Sequence, residues 1–115
     1  MNTIIKATNF ALVPSVEEAI IKKLIPLKKF LPPGTEPLEL RVEVALDTKH
    51  HQKGAIYRAE ANFRVHSDII RAEAFGKDIF AAMASVKKIL AREIKQYKCR
   101  QATQQRKGME KNKRK

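Results

Sequence analysis

Cysteine, glycine and long apolar runs are scarce in this sequence of 115 residues, and each scarcity excludes a class of protein. The single cysteine, Cys99, cannot form an intramolecular disulfide, which excludes a disulfide-stapled scaffold and favours a reducing compartment. No apolar run approaches the roughly 20 residues of a membrane-spanning helix, and the N-terminus shows neither a secretory nor a transit pattern. We therefore expect a small cytoplasmic protein that makes no use of a membrane.

Residues that could carry catalysis, or bind a metal or cofactor, are few and unsuitably spaced. The four glycines are scattered, which excludes a glycine-rich phosphate loop. His50 and His51 are adjacent in a predicted turn without a nearby cysteine or acidic cluster, and metal ligands are not usually spaced in this way. Cys99 shows no sign of an activating base. The sequence therefore predicts no enzyme, no cofactor and no metal site.

Aromatic residues make up only 6% of the chain, and this limits how it could bind nucleic acid. Tyr57, Phe63 and Tyr97 fall on predicted core faces, whereas proteins that stack single-stranded bases display aromatics on an exposed sheet. If the partner is a nucleic acid, recognition by shape and phosphate is therefore favoured over the reading of base sequence.

Positive charge is abundant: 24 Lys and Arg residues against 12 Asp and Glu residues give a net charge of +12. Residues 99–115 hold seven basic residues and one acidic residue, which is half of this excess. We expect a folded domain over residues 1–98 and a basic, disordered tail over residues 99–115. Such a charge indicates either a polyanionic partner or a surface that is charged only for solubility.

Hydrophobic spacing predicts six elements in the order β-α-β-β-β-α. Alternating apolar and polar residues predict strands over residues 38–46, 57–65 and 70–74, and β-branched residues predict a short first strand over residues 3–8. Apolar residues at helical spacing follow Ser15, the expected N-cap with Glu18 completing a capping box, and Pro26 should end or kink this first helix. A second helix should start after Asp78, its predicted N-cap.

The order of these elements predicts an α+β two-layer sandwich. A right-handed crossover through the first helix places the first two strands parallel, and the last three strands form an antiparallel meander. Each strand has one apolar face, so both helices should cover the same face of a four-stranded mixed sheet.

The outer side of each predicted helix is basic. On a helical wheel of the second helix, Lys88, Arg92 and Lys95 lie opposite the apolar stripe, with Lys87 and Lys98 at the border. The first helix contributes Lys22, Lys23, Lys28 and Lys29. Cations spaced about one turn apart can meet successive phosphates, and small residues such as Ala81 and Ala84 would allow a nucleic-acid backbone to approach closely.

A family resemblance covers residues 3–98. It is carried mainly by the stretch from Ala72 to Met83, which reads AEAFGKDIFAAM, followed by Leu90-Ala91-Arg92-Glu93 and the pair Tyr97-Lys98. This pattern resembles the ribosome hibernation promoting factor family, whose members share the β-α-β-β-β-α order. The resemblance implies a short form that binds the small ribosomal subunit between head and body, occupies the mRNA and tRNA channel, and keeps ribosomes inactive under stress.

The same resemblance implies that basic helix residues contact rRNA. Arg92 and Lys98 match the family pattern by position, and the first helix matches it as a lysine-bearing helix. The predicted rRNA-binding residues, with those assigned by the helical wheel and by the basic tail, are Lys22, Lys23, Lys28, Lys29, Lys87, Lys88, Arg92, Lys95, Lys98 and Arg100. A second hibernation factor is a further expected partner, and the chain is expected to be monomeric off the ribosome.

Two other functions remain open at this stage. The meander and final helix are also compatible with a general double-stranded-RNA-binding module, which would bind naked RNA helices. A protein-interaction domain could carry its charge for solubility alone. The sequence also leaves open whether ribosomes are paired or stored singly.

Overall fold

A computed structural model describes residues 2–32, 34–37, 39–47, 56–66 and 68–113, with the side chains of residues 101–113 left out. The strands are β1 (Asn2–Thr8), β2 (Glu39–Asp47), β3 (Ile56–Val65) and β4 (Asp68–Gly76). The helices are α1 (Pro14–Leu24), a 3-10 helix (Ile25–Phe30) and α2 (Ile79–Lys113). The predicted order of strands and helices is confirmed. His50 and His51 lie outside the described residues.

The four strands form one mixed sheet in the order β1-β2-β3-β4. β1 runs parallel to β2, with Ile5 opposite Val42, while β3 and β4 continue antiparallel. This confirms the predicted fold class, and it leaves β1 and β4 as the two edges of the sheet.

The core lies between one face of the sheet and the helices. Alternate residues of the inner strands are fully buried, and a helical stripe of α2 packs against them, because both spacings place apolar side chains on a single side. The largest of these buried side chains belong to Phe63, Leu24, Leu40, Met83, Leu90 and Ile94. The opposite face of the sheet carries the charged residues of each strand.

The start of α1 differs from the prediction. The helix begins at Pro14, two residues before the start that a Ser15 cap implies, and its N-cap is Val13 with φ −85° and ψ 153° and no side-chain capping bond. Ser15 is thus inside the helix, and the predicted capping box with Glu18 is wrong. A proline suits the first helical position because its fixed φ is already helical and the N–H that it lacks would have no partner there.

Pro26 ends the regular part of the first helix, as predicted. α1 stops at Leu24 and continues as the 3-10 helix, with Pro26 in its first turn. Proline cannot donate the backbone hydrogen bond of an α-helix interior, so the chain tightens into a different helix instead. Leu27 nevertheless remains buried, so this segment stays packed on the core.

The start of α2 is held by two residues. The Ala81 N–H donates to Asp78 Oδ1 at 2.8 Å, which confirms Asp78 as the N-cap. A Cβ at Gly76 would lie 2.5 Å from the backbone nitrogen of Ala82, so the turn between β4 and α2 closes too tightly for a side chain. The helix then runs to Lys113, beyond the predicted domain end at Lys98. The disorder of the tail in solution stays a prediction.

Candidate nucleic-acid interface

The exposed side of α2 displays three cations. Lys88, Arg92 and Lys95 are all exposed, while Leu90 and Ile94 on the opposite side of the helix are fully buried. The buried stripe therefore fixes the rotation of α2 about its axis, and this rotation turns the basic residues outward as predicted. Ala84 and Ala91 beside them are only half-buried, so the surface between the cations is low.

Phe30 joins the basic residues of α2 to those of the 3-10 helix. Lys95 Nζ lies 5.8 Å from the centre of the Phe30 ring, and Lys29 Nζ lies 5.1 Å from the same ring. Both distances are within the range of cation–π interactions, each worth about 0.5–1 kcal/mol at an exposed site. Two ammonium groups from different elements are thus held around a single aromatic ring.

We call the resulting set of exposed cations the basic helix surface, and it comprises Lys22, Lys28, Lys29, Lys88, Arg92 and Lys95. Among ion pairs in which both residues are described, one involves this surface: Arg92 Nη2 lies 3.7 Å from Glu93 Oε1. The Arg92 side chain stays 66% exposed, so this pair does not remove it from solvent. The surface is therefore cationic and largely uncompensated.

The sheet face has the opposite character, because its charges pair with each other. Arg58 lies 3.1 Å from Glu73, 3.3 Å from Glu60 and 3.7 Å from Glu43. Arg71 Nε donates to Asn62 Oδ1 at 3.1 Å. Compensated charges attract a polyanion weakly, so the helix side is the better candidate for contact with phosphates.

The remaining predicted residues occupy less central positions. Lys23 is half-buried and lines a cavity of about 20 Å³ between α1 and the start of α2, beside Phe80 and Met83. Lys87 and Lys98 are exposed at the border of the surface. No structural observation on these residues supports or excludes contact with rRNA, and their assignment stays a prediction.

Arg100 lies at the far border, where α2 passes the beginning of β4. It lines a cavity of about 430 Å³ together with Asp68, Glu93 and Tyr97. Burial raises the pKa of the Tyr97 hydroxyl above its ordinary value of 10.0, and Asp68, which accepts a hydrogen bond from this hydroxyl, raises it further. Asp68 and Glu93 line the same cavity as Arg100 and reduce the positive potential there, and Glu93 also pairs with Arg92.

Sequence reasoning missed the aromatic component of the site. Phe30 was not singled out because an aromatic residue at the end of a helical segment normally signals core packing. The signal that could have found it is the run Lys28-Lys29-Phe30, in which a ring directly follows two lysines. Phe80 was missed in the same way, and its side chain is 56% exposed at the α1–α2 junction.

The described part of the chain shows neither a metal-binding cluster nor a membrane-spanning helix. Within those residues, no three His, Cys, Asp or Glu side chains are grouped closely enough to hold a metal ion. The helices described there include none that is long and apolar enough to cross a membrane.

A four-stranded mixed sheet covered on one face by helices is also the architecture of solved structures of ribosome-related proteins. A ribosomal subunit interface protein from Coxiella burnetii superposes with a TM-score of 0.67 at 16% identity, over 86% of this chain and 99% of that one. The N-terminal domain of Protein Y from Thermus thermophilus superposes with a TM-score of 0.64 at 21% identity, over 84% and 99%. At these identities the likeness establishes the fold.

The family follows from the sequence itself. The model of the family described as Sigma 54 modulation protein / S30EA ribosomal protein matches residues 3–102. The chain belongs to this family, which confirms the predicted kinship with ribosome hibernation factors. It is thus a ribosome-associated protein and not an enzyme. Among curated proteins, none matches the sequence.

Proposed function

We propose that this chain is a hibernation factor that inhibits translation by occupying the mRNA and tRNA channel of the small ribosomal subunit. The basic helix surface contacts rRNA phosphates, and the folded body excludes mRNA and tRNA. Family membership supports the association with ribosomes, and the likeness to the ribosomal subunit interface protein from Coxiella burnetii supports the location. A protein that works on ribosomes in this way is expected in the cytoplasm.

One observation carries the mode of binding in this proposal. Lys29 and Lys95 approach the same ring, that of Phe30, from two helical segments, so the cations form one continuous surface. A polyanion that spans this surface gains from several contacts at once, and phosphate contacts supply much of the affinity of nucleic-acid-binding proteins. The compensated charges of the sheet face offer no comparable gain.

Charge reversal on the two faces tests the proposal. In a triple variant, Lys88, Arg92 and Lys95 are each replaced by Glu, and a matched triple variant carries the same replacements at Lys6, Arg41 and Arg64, which are exposed residues of the strands. Binding to purified small subunits is measured by co-sedimentation in sucrose gradients at low salt. We expect the helix variant to lose at least tenfold in affinity and the strand variant to lose much less.

Three outcomes contradict the proposal. Equal loss in both variants means that net charge alone drives association, and no loss in the helix variant removes this surface from binding. If the wild-type chain binds a naked RNA helix as tightly as it binds intact subunits, the general RNA-binding alternative is correct. Inhibition of translation in a purified system should fall in parallel with subunit binding.

A further inference from the structure

The strand β4 has an exposed edge and an unusual outer face. Its outward residues are Ile69, Arg71, Glu73 and Phe75, in the order apolar, basic, acidic, apolar. Ile69 is 60% exposed and Phe75 is 51% exposed, although both are large hydrophobic residues. An edge strand nine residues long with exposed apolar side chains is a template for pairing with another strand.

The pattern on this face is complementary to itself. When two copies of β4 pair antiparallel about a two-fold axis at Ala72, Ile69 of each copy lies opposite Phe75 of the other. In the same register Arg71, which contacts Asn62 and Glu60 of its own chain, lies opposite Glu73 of the other copy, which is paired with its own Arg58. Directly opposed side chains on one face of an antiparallel pair are close enough to interact, and both apolar pairs and opposite charges stabilise it. We propose that β4 is a homodimerisation edge that joins two copies of this chain into one eight-stranded sheet.

The charges select this register over its neighbours. A two-fold axis at Arg71 places the two copies of Arg71 opposite each other, and an axis at Glu73 does the same for two carboxylates. Like charges directly opposite are destabilising. In a register displaced by one residue, the outward side chains of one copy lie on the same side of the joined sheet as the inward side chains of the other. A two-fold axis perpendicular to the sheet keeps the outward side chains of both copies on one side, so it does not permit such a register. Ala72 is therefore the favoured centre.

On the side of the sheet that carries the helices, this arrangement brings the two copies of α2 close to each other. The inward residues near the axis are small, since Ala72 faces its own copy and Ala74 faces Ile70. Helix axes need about 8–10 Å between them, whereas paired strands are about 4.8 Å apart, so the two copies of α2 fit side by side only if each lies over the space between β3 and β4. α2 packs on both of these strands, more extensively on β4 than on β3, and a cavity of about 430 Å³ lies between Asp68–Arg71 and α2.

Net charge sets the conditions under which pairing is visible. Each copy carries +12, so two copies repel each other at low ionic strength. Salt at about 0.3 M screens this long-range repulsion, because the Debye length falls well below 10 Å. A strand pair buries less area than a standard interface of about 1,600 Å², so we expect weak association that is seen only at high protein concentration. The monomer predicted from the sequence is then the state at low concentration.

A charge swap tests the register. Sedimentation equilibrium of the full chain from about 10 μM to 1 mM should show the mass rising from 13.1 kDa toward twice that value. Glu73→Arg places two arginines opposite each other at both symmetric positions and should weaken association at least tenfold. The double variant Arg71→Glu, Glu73→Arg restores opposite charges across the edge and should recover most of the association lost in Glu73→Arg, while both variants alter the partners of Arg58 and Glu60 within the chain. Glu18→Arg, an equal change of charge on exposed α1, should not weaken it.

Crosslinking provides a second measurement that does not depend on the stability of the charge variants. In a Cys99→Ser background, a mixture of Ile69→Cys and Phe75→Cys chains should form a disulfide-linked heterodimer on mild oxidation, and either chain alone should not. A monomer throughout the concentration range, association indifferent to Glu73→Arg, or absence of the mixed disulfide each overturns the proposal. These experiments use the protein without ribosomes, so their outcome is independent of the proposed function.

Discussion

Lys95 of α2 and Phe30 of the 3-10 helix are in contact, with the ammonium nitrogen 5.8 Å from the ring centre. Lys29 approaches the same ring at 5.1 Å. Two lysines at one ring repel each other, and the negative ring face offsets part of that repulsion. The pair of contacts also ties the end of the 3-10 helix to α2, so the relative position of the two basic segments depends on one aromatic side chain.

The first prediction concerns this ring. Phe30→Leu keeps an apolar side chain but removes the aromatic face, so neither cation–π interaction can form and the two lysines separate. We expect affinity for small subunits to fall by about threefold to tenfold, because the two interactions together hold the lysines in place with about 1–2 kcal/mol and only part of this acts on binding. Phe75→Leu, on the opposite face of the molecule, is the matched control. Equal affinity of the two variants in a filter-binding titration would show that the ring does not organise the surface.

The second prediction compares two N-terminal helix residues. Asp78→Ala removes the side-chain acceptor of the Ala81 N–H and should lower the free energy of unfolding by about 1 kcal/mol. Ser15→Ala should change it by less than about 0.5 kcal/mol, because Ser15 lies inside α1 and makes no capping bond. Urea denaturation of both variants checks the difference. A larger loss of stability for Ser15→Ala would mean that α1 begins at the residue predicted from the sequence.

The third prediction uses the raised pKa of Tyr97. Because its hydroxyl ionises less readily in the folded chain than in the unfolded one, the contribution of the neutral hydroxyl is complete below about pH 10. That contribution is lost as the pH rises through the folded-state pKa. Tyr97→Phe should therefore cost about 1 kcal/mol near neutral pH, and this cost should shrink at more alkaline pH. Urea denaturation at a series of pH values gives both curves, and curves that stay parallel above pH 10 would contradict the assignment.

The fourth prediction concerns residues 99–115. If the tail binds phosphates, a chain ending at Lys98 should show a shallower dependence of log K on log salt, by about 0.7–0.9 for each phosphate that the tail neutralises. A full-length chain whose tail Lys and Arg residues are replaced by Gln separates the effect of charge from that of length. Equal slopes for the full and shortened chains would remove the tail from binding.

Circular dichroism of the full and shortened chains examines the predicted disorder of the tail. If removal of the tail leaves the helical signal per molecule unchanged, residues 99–115 are disordered off the ribosome. A decrease that corresponds to about four turns of helix means that α2 persists to Lys113.

Much of the fold was accessible from hydrophobic spacing. The alternation around Val42 and Phe63 predicted strands with one buried face, and the stripe through Leu90 and Ile94 predicted the rotation of α2. Pro26 and Asp78 acted as local signals that the structure bears out. The prediction that Ser15 caps the first helix was wrong because the sequence offers two favourable helix starts close together. A serine cap and a proline at the first helical position are both favourable, and the proline prevailed in the folded chain.

The site was accessible only in part. Helical spacing predicted that Lys88, Arg92 and Lys95 share an exposed side, since that depends on one helix alone. The contact between Lys95 and Phe30 joins residues 65 positions apart, and no local pattern indicates it. The reduced potential around Arg100 likewise depends on Asp68 of β4 and Glu93 of α2, which the fold brings to one cavity.

The amino-acid sequence by itself determined the order of the elements, the face that each buries, the excess of positive charge and the family of the protein. These properties depend on composition and on spacing within single elements. Only the tertiary structure decided which cations share a surface, which are compensated by carboxylates, and which strand is left with an open edge. The reason is that charge interactions and strand edges depend on distances between elements, and those distances exist only once the sheet and helices have packed.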